Sequence, residues 1–161
     1  MKVCSFTGHR TVADGVYSSL AKLIDAAVDY AYKNGCRKFY TGGARGFDTM
    51  AARAVILYRI SHPDVRLCLL LPCKNQSEKW CGSEVQSYEY ILSVADEVEY
   101  VRDDYTDGCM RERNFKLAAV CDILIAYSGR QKSGSAQTVR FAKEAGKTVY
   151  NLYARANGIN S

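Results

Sequence analysis

Proline is scarce in this chain: Pro63 and Pro72 are the two in 161 residues. With no low-complexity stretch beside them, that scarcity excludes a disordered or linker-rich molecule. No window approaches the ~20 apolar residues that a membrane span needs, so no membrane partner is expected. No signal peptide is expected either, because Met1-Lys2 run straight into a short apolar strand without a long apolar region or a cleavage site behind it. The cysteines contain no Cys-x-x-Cys pair. Cys4, Cys36, Cys68, Cys73, Cys81, Cys109 and Cys121 are odd in number, and Cys4, Cys68 and Cys121 sit inside apolar runs as small core residues. The expectation is a reduced, cytoplasmic protein with no metal and no cofactor. Neither sign of charge dominates, since 22 Lys and Arg face 17 Asp and Glu for a net +5. That mild, scattered excess suits a phosphate-bearing ligand and argues against nucleic acid as the partner. The 12 tyrosines are spread along the chain and form no stacking stripe, which points the same way.

What is present is a regular alternation. Residues 2–7 read as a strand. Over 13–34, Val16, Leu20, Leu23, Ile24, Ala27, Val28 and Ala31 recur at helical spacing until Gly35 stops the helix. A strand at 38–41 and a helix at 47–61 follow. The nearly continuous apolar run 65–71 reads as a strand buried on both faces, as in a parallel sheet. Then come a helix at 83–95, strands at 97–101 and 122–127 on either side of a helix at 110–120, a helix opened by Ser133-Gly134-Ser135 and running to 145, and a strand at 147–152. The tail beyond is expected to be short and exposed. Six strands alternating with five helices predict one Rossmann-like, doubly wound α/β domain over 1–161, with a mainly parallel sheet. A 48% apolar composition is ample for its core.

Such sheets bind ligands outside the carboxyl ends of their strands, near the point where strand order reverses. Four segments with chemical potential fall at strand ends. Thr7-Gly8-His9-Arg10 follows the first strand; the glycine permits close approach, and His9 and Arg10 can meet a phosphate or a base, or simply be polar side chains on a turn. Gly42-Gly43-Ala44-Arg45-Gly46-Phe47-Asp48 follows the second strand. Its amides and helix N-terminus can face an anion, Arg45 offers a planar fork for phosphate, and Asp48 can take a ribose hydroxyl or complement the helix dipole. The spacing is neither GxGxxG nor a P-loop, so standard dinucleotide and ATPase sites are not indicated. Ser128 to Ser135, with Ser133, Gly134 and Ser135 opening a helix, can present hydroxyls and amides to a second phosphate or serve as a loop with a serine cap. Arg113-Asn114 either turn towards the crevice or form an ordinary charged helix start. After the third strand, Trp80 can stack on a base or cover the core, and Glu84 is a ribose ligand or a helix-start carboxylate.

Taken in order, these motifs resemble the SLOG superfamily, the Rossmann-like group that includes the Smf/DprA proteins and the LOG-type phosphoribohydrolases. The similarity is greatest to the YpsA-like branch of small bacterial and phage proteins. It rests on the Thr7-Gly8-His9-Arg10 turn, the segment from Thr41 to Asp48, Leu71-Pro72 with Gln76-Ser77-Glu78-Lys79-Trp80, Arg113-Asn114, and the loop from Ser133 to Thr138. The resemblance implies a pocket for a nucleotide or nucleotide-derived, ADP-ribose-like ligand. LOG-type enzymes carry a PGGxGTxxE pattern; here Ser133-Gly134-Ser135-Ala136-Gln137-Thr138-Val139-Arg140 replaces its second glycine and its glutamate. Ligand binding or sensing is therefore the leading expectation. Hydrolysis of an N-glycosidic bond, with Asp48 or Glu84 as the carboxylate, is the alternative, and single-stranded DNA binding a weaker one. Folds of this class often pair through helices or edge strands, so a homodimer is a further expected partner.

Overall fold

The computed structural model describes residues 1–159. Its strands are β1 (Lys2–Gly8), β2 (Cys36–Thr41), β3 (Arg66–Leu71), β4 (Glu97–Tyr100), β5 (Ile123–Tyr127) and β6 (Thr148–Asn151). Between and after them run α1 (Asp14–Lys33), α2 (Phe47–Ser61), α3 (Gly82–Val94), α4 (Cys109–Val120), α5 (Gly134–Glu144) and α6 (Tyr153–Ala156).

Pleating assigns alternate strand residues to opposite faces. Cys4 and Phe6 of β1, with Ile123, Ile125 and Tyr127 of β5, join Leu20, Ile24, Val28, Phe47, Ala51 and Val55 in one core beneath α1 and α2. The intervening residues Val3 and Leu124 turn the other way and meet Ala118, Cys121 and Ala142 of the α4–α5 side. Each large side chain sealed in this way contributes ~1.5–3 kcal/mol. Every strand pair is parallel, and the spatial order is β4-β3-β2-β1-β5-β6. The chain therefore winds outwards from β1 as far as β4, then crosses back to place β5 on the other side of β1. The carboxyl ends of β1 and β5 flank the point of reversal.

Observed boundaries lie within one or two residues of those expected from periodicity. The one new element is α6, so the helices number six rather than five among the described residues. The tail is not simply exposed: Ala156 is buried in the larger core, and Ser19 Oγ donates to its carbonyl at 3.1 Å. A four-residue helix is too short to show a period. No helix among the described residues is long and apolar enough to cross a membrane.

Candidate functional site

At the reversal point lies a cavity of about 250 Å3. Its walls come from four places in the sequence. Thr7, Gly8, His9, Arg10 and Thr11 follow β1, Ala44 and Asp48 follow β2, Met110, Arg113, Asn114 and Leu117 come from α4, and Arg130, Ser133, Gly134 and Ser135 follow β5.

The β1 turn crosses directly above Phe47, so a Cβ at Gly8 would collide with that ring. Phe47 is itself fully buried and belongs to the core, stacked on Tyr127 with ring centroids 5.9 Å apart. It cannot border a ligand base from the cavity. His9 holds the far wall in place. Its Nε2 accepts the Gly129 amide hydrogen at 2.8 Å, which assigns the ring proton to Nδ1, facing Ser135 Oγ at 3.4 Å. Ser135 Oγ continues to Ser128 Oγ at 3.1 Å and lies 3.1 Å from Ser133 Oγ. Burial, and secondarily Arg130, lower the His9 pKa and favour this neutral ring. Tyr127 and Tyr153 pack against it in T-shaped contacts, with ring centroids 5.7 and 5.9 Å away.

The glycine segment after β2 differs from expectation. Its amides are largely occupied within the protein: Ala44 N donates to Asp48 Oδ2 at 3.1 Å, Gly43 N to Thr41 Oγ1 at 3.4 Å, and Phe47 N to the His9 carbonyl at 3.1 Å. Arg45 is absent from the cavity lining. Its guanidinium lies 3.8 Å from Glu84 and 5.4 Å from the centre of the Trp80 ring. Glu84 is displaced with it, since its Oε1 accepts the Cys81 amide at 3.2 Å in the capping box that opens α3. Those hydrogen bonds from Cys81 hold its carboxyl below the usual range. The structure shows the capping role expected of a helix-start carboxylate, and Glu84 does not line the cavity. Trp80 packs edge-on against Tyr88 at 5.1 Å, outside the cavity.

Asp48 and Arg113 form the floor. Both are buried, and they approach each other across Gly42, where a Cβ would meet the Arg113 guanidinium and Asp48 Oδ2. Arg113 donates from Nη1 to the Gly42 carbonyl at 2.5 Å and from Nε to Asn114 Oδ1 at 3.0 Å. Asn114 in turn reaches the Gly134 carbonyl at 3.3 Å and so ties α4 to the start of α5. Burial draws the Arg113 pKa down while Asp48 pulls it up. Asp48 is more unusual: its Oδ1 is buried without any partner, and burial pushes its carboxyl up to about 6 against the opposing pull of Arg113. One carboxylate thus faces Arg113 and Arg10, with Arg130 elsewhere on the cavity wall.

Of the expected residues, Gly8, His9, Arg10, Ala44, Asp48, Arg113, Asn114, Ser133, Gly134 and Ser135 meet at the cavity. Gly42 and Ser128 stand directly behind it through Arg113 and Ser135. Gly43 and Gly46 shape the loop beneath, with positive φ. Thr7, Thr11, Met110, Leu117 and Arg130 also line it. Thr7 and Arg130 lie within stretches named from the sequence and Thr11 borders one, whereas Met110 and Leu117 stand about one helical turn on either side of Arg113-Asn114. Tyr153 had no sequence signal. Among the described residues, no group of three or more His, Cys, Asp and Glu side chains is arranged to hold a metal ion.

A family model described as the YspA SLOG family matches residues 5–154. The chain belongs to that family. The SPbeta prophage-derived protein YoqJ of Bacillus subtilis strain 168 is 25% identical to this SLOG protein over 150 residues, covering 84% of this chain and 88% of YoqJ. Among solved structures, DNA processing protein A of Streptococcus pneumoniae superposes with a TM-score of 0.66 at 18% identity, over 93% of this chain and 50% of that one. The corresponding Helicobacter pylori protein gives 0.63 at 22% identity, over 92% and 63%. The SLOG chain thus spans about half and under two thirds of these two neighbours. At such identities the likeness shows a shared fold. The H. pylori structure is described for its single-stranded DNA binding mode.

Proposed function

We propose that the cavity between β1 and β5 binds a nucleotide-type small molecule by its sugar and phosphate. The observation that carries this reading is Asp48 Oδ1, a buried carboxylate oxygen with no partner on a cavity otherwise lined by guanidinium groups, hydroxyls and the first residues of α5. An unpaired buried acceptor costs ~1–3 kcal/mol. A sugar hydroxyl donating to Oδ1 would remove that cost. Arg10 and Arg130 would take the phosphate by charge-assisted hydrogen bonds, assisted by the N-terminus of α5. Family membership supports the same reading, with ADP-ribose-like compounds as the first candidates.

A second reading, cleavage of an N-glycosidic bond, is favoured by one feature. Asp48 sits in the cavity with its pKa at about 6, suited to passing a proton near neutral pH. It then acts alone, since Glu84 is engaged in capping α3.

Thermal-shift and calorimetric titration with ribose 5-phosphate, nucleoside monophosphates, ADP-ribose, cyclic ADP-ribose isomers and NAD tests both. A short single-stranded oligonucleotide belongs in the same panel. Saturating ligand is expected to stabilise by ~2–4 kcal/mol, and Arg10→Ala to weaken binding by about tenfold or more, as loss of a charge-assisted bond implies. If no small molecule shifts the melting curve, the reading fails; a response to the oligonucleotide alone would move the site to nucleic acid. Free base appearing in a chromatographic assay, and lost in Asp48→Asn, would convert the binder into a hydrolase.

A further inference from the structure

Behind Met110 lies a second recess of about 380 Å3, lined by Arg45, Gln76, Trp80, Tyr105 and Met110 with neighbouring polar residues. Met110 lines both spaces. Its sulfur lies 3.9 Å from Arg10 Nη2 and 3.8 Å from Arg113 Nη2, so this unbranched side chain forms part of the wall that the two spaces share. Thioether side chains change rotamer readily, which makes this wall a movable one.

Three features of the recess suit a flat, hydrogen-bonding ring. Trp80 meets Tyr88 in a T-shaped contact and lies under the Arg45 guanidinium, while Tyr105, also on the recess wall, is 58% exposed. The Arg45 Nε hydrogen is buried without an acceptor, a donor still unused at the recess. Gln76 adds an amide, anchored through Nε2 to the Gly43 carbonyl at 3.2 Å with its oxygen left over. Size points the same way. Small-molecule sites usually span ~300–1,000 Å3; the cavity alone falls short of that range, and the two spaces together fall within it.

From this we infer that the Trp80 recess is the base subsite of the ligand whose sugar phosphate occupies the cavity. The inference rests on the reading proposed above and adds to it the part of the ligand that sets affinity and selectivity. The base stacks on Trp80 and Tyr105, an acceptor on its edge takes the Arg45 Nε hydrogen, and Met110 swings aside to let the glycosidic bond pass.

Trp80 is the one tryptophan in the chain, so intrinsic indole emission reports on this recess. The wild-type protein would be titrated with ribose 5-phosphate, with AMP, GMP, CMP and UMP, and with the four nucleosides. Heat would measure binding, and emission would measure contact. At least one monophosphate is expected to bind tenfold or more tightly than ribose 5-phosphate and to quench Trp80, while ribose 5-phosphate binds without quenching. Trp80→Leu should bring that monophosphate down to the affinity of ribose 5-phosphate. Because Trp80 packs on Tyr88, the exposed Tyr105→Ala is the companion variant, expected to weaken the monophosphate several-fold and leave ribose 5-phosphate unchanged. Equal affinities for sugar phosphate and monophosphates, without quenching, overturn the base subsite and leave the cavity reading standing. Quenching by nucleosides with no binding of ribose 5-phosphate overturns the cavity reading and, with it, the joining of the two spaces into one site. Binding of none overturns both.

Discussion

At the scale of single residues, Asp48 decides the character of the site. Moving a buried carboxyl from 3.8 to about 6 sets ~3 kcal/mol against its ionised form. The folded state binds this proton more readily than the unfolded chain does. The penalty is therefore absent below pH ~4, grows as pH rises through the interval and is fully present above about 6. Asp48→Asn is expected to raise the melting temperature at pH 7.5, by up to ~3 kcal/mol of stability, and to lose that advantage towards pH 4, while ligand affinity falls at every pH. Thermal melts of both proteins across pH 4–8 would check it; an unchanged or lowered melting point at pH 7.5 would show that Asp48 is satisfied after all. The sequence named this residue through its place after the glycines. It could not show that its neighbour Arg45 faces away, because side-chain direction at a helix start depends on what lies opposite. Here Glu84 and the Trp80 ring lie opposite, more than 30 positions further along.

At the scale of elements, the loop from Ser128 to Ser135 is held to β1 by one ring. His9 accepts the Gly129 amide only while its Nε2 is unprotonated. Because its pKa is lowered on folding, the unfolded chain takes up this proton first. The contribution is full above the ordinary value of 6.5 and is lost as pH falls below it. His9→Ala is expected to cost ~1 kcal/mol near pH 8 through the lost hydrogen bond, with more from the tyrosine contacts, and the gap from wild type should narrow in acid. Denaturant titrations at pH 8 and pH 5 measure it; a gap that stays constant would assign the effect to packing alone. The strands and the five longer helices were legible because each displays a period or an unbroken apolar run. The exception, α6, brings Tyr153 against His9. Four residues held by contacts with α1 leave no local pattern to read.

At the scale of the whole molecule, the order of strands places the site and the two-sided core hides the thiols. All seven cysteines are free, and Cys81 is the one that is exposed. Titration of the native protein with an aromatic disulfide reagent should release one equivalent quickly and all seven only in denaturant. Two or more fast thiols would mean that the sheet opens more readily than its packing implies. The doubly wound class was legible from alternation alone. The strand order was not, because alternation is the same whichever side of β1 receives β5, and the cavity follows from that choice.

The position of β5 also bears on how the molecule comes into being. β1 is hydrogen-bonded along one edge to β2 and along the other to β5, and the His9–Gly129 contact joins residues 120 positions apart. A chain growing from the ribosome can settle β1 to β4 and the helices over them early, yet one edge of β1 stays bare until β5 is translated. Through most of synthesis the nascent protein thus presents an open template to any passing strand. Such long-range pairings form slowly, so the same late-arriving segment that completes the cavity also covers an edge of β1 that would otherwise stay open to other strands.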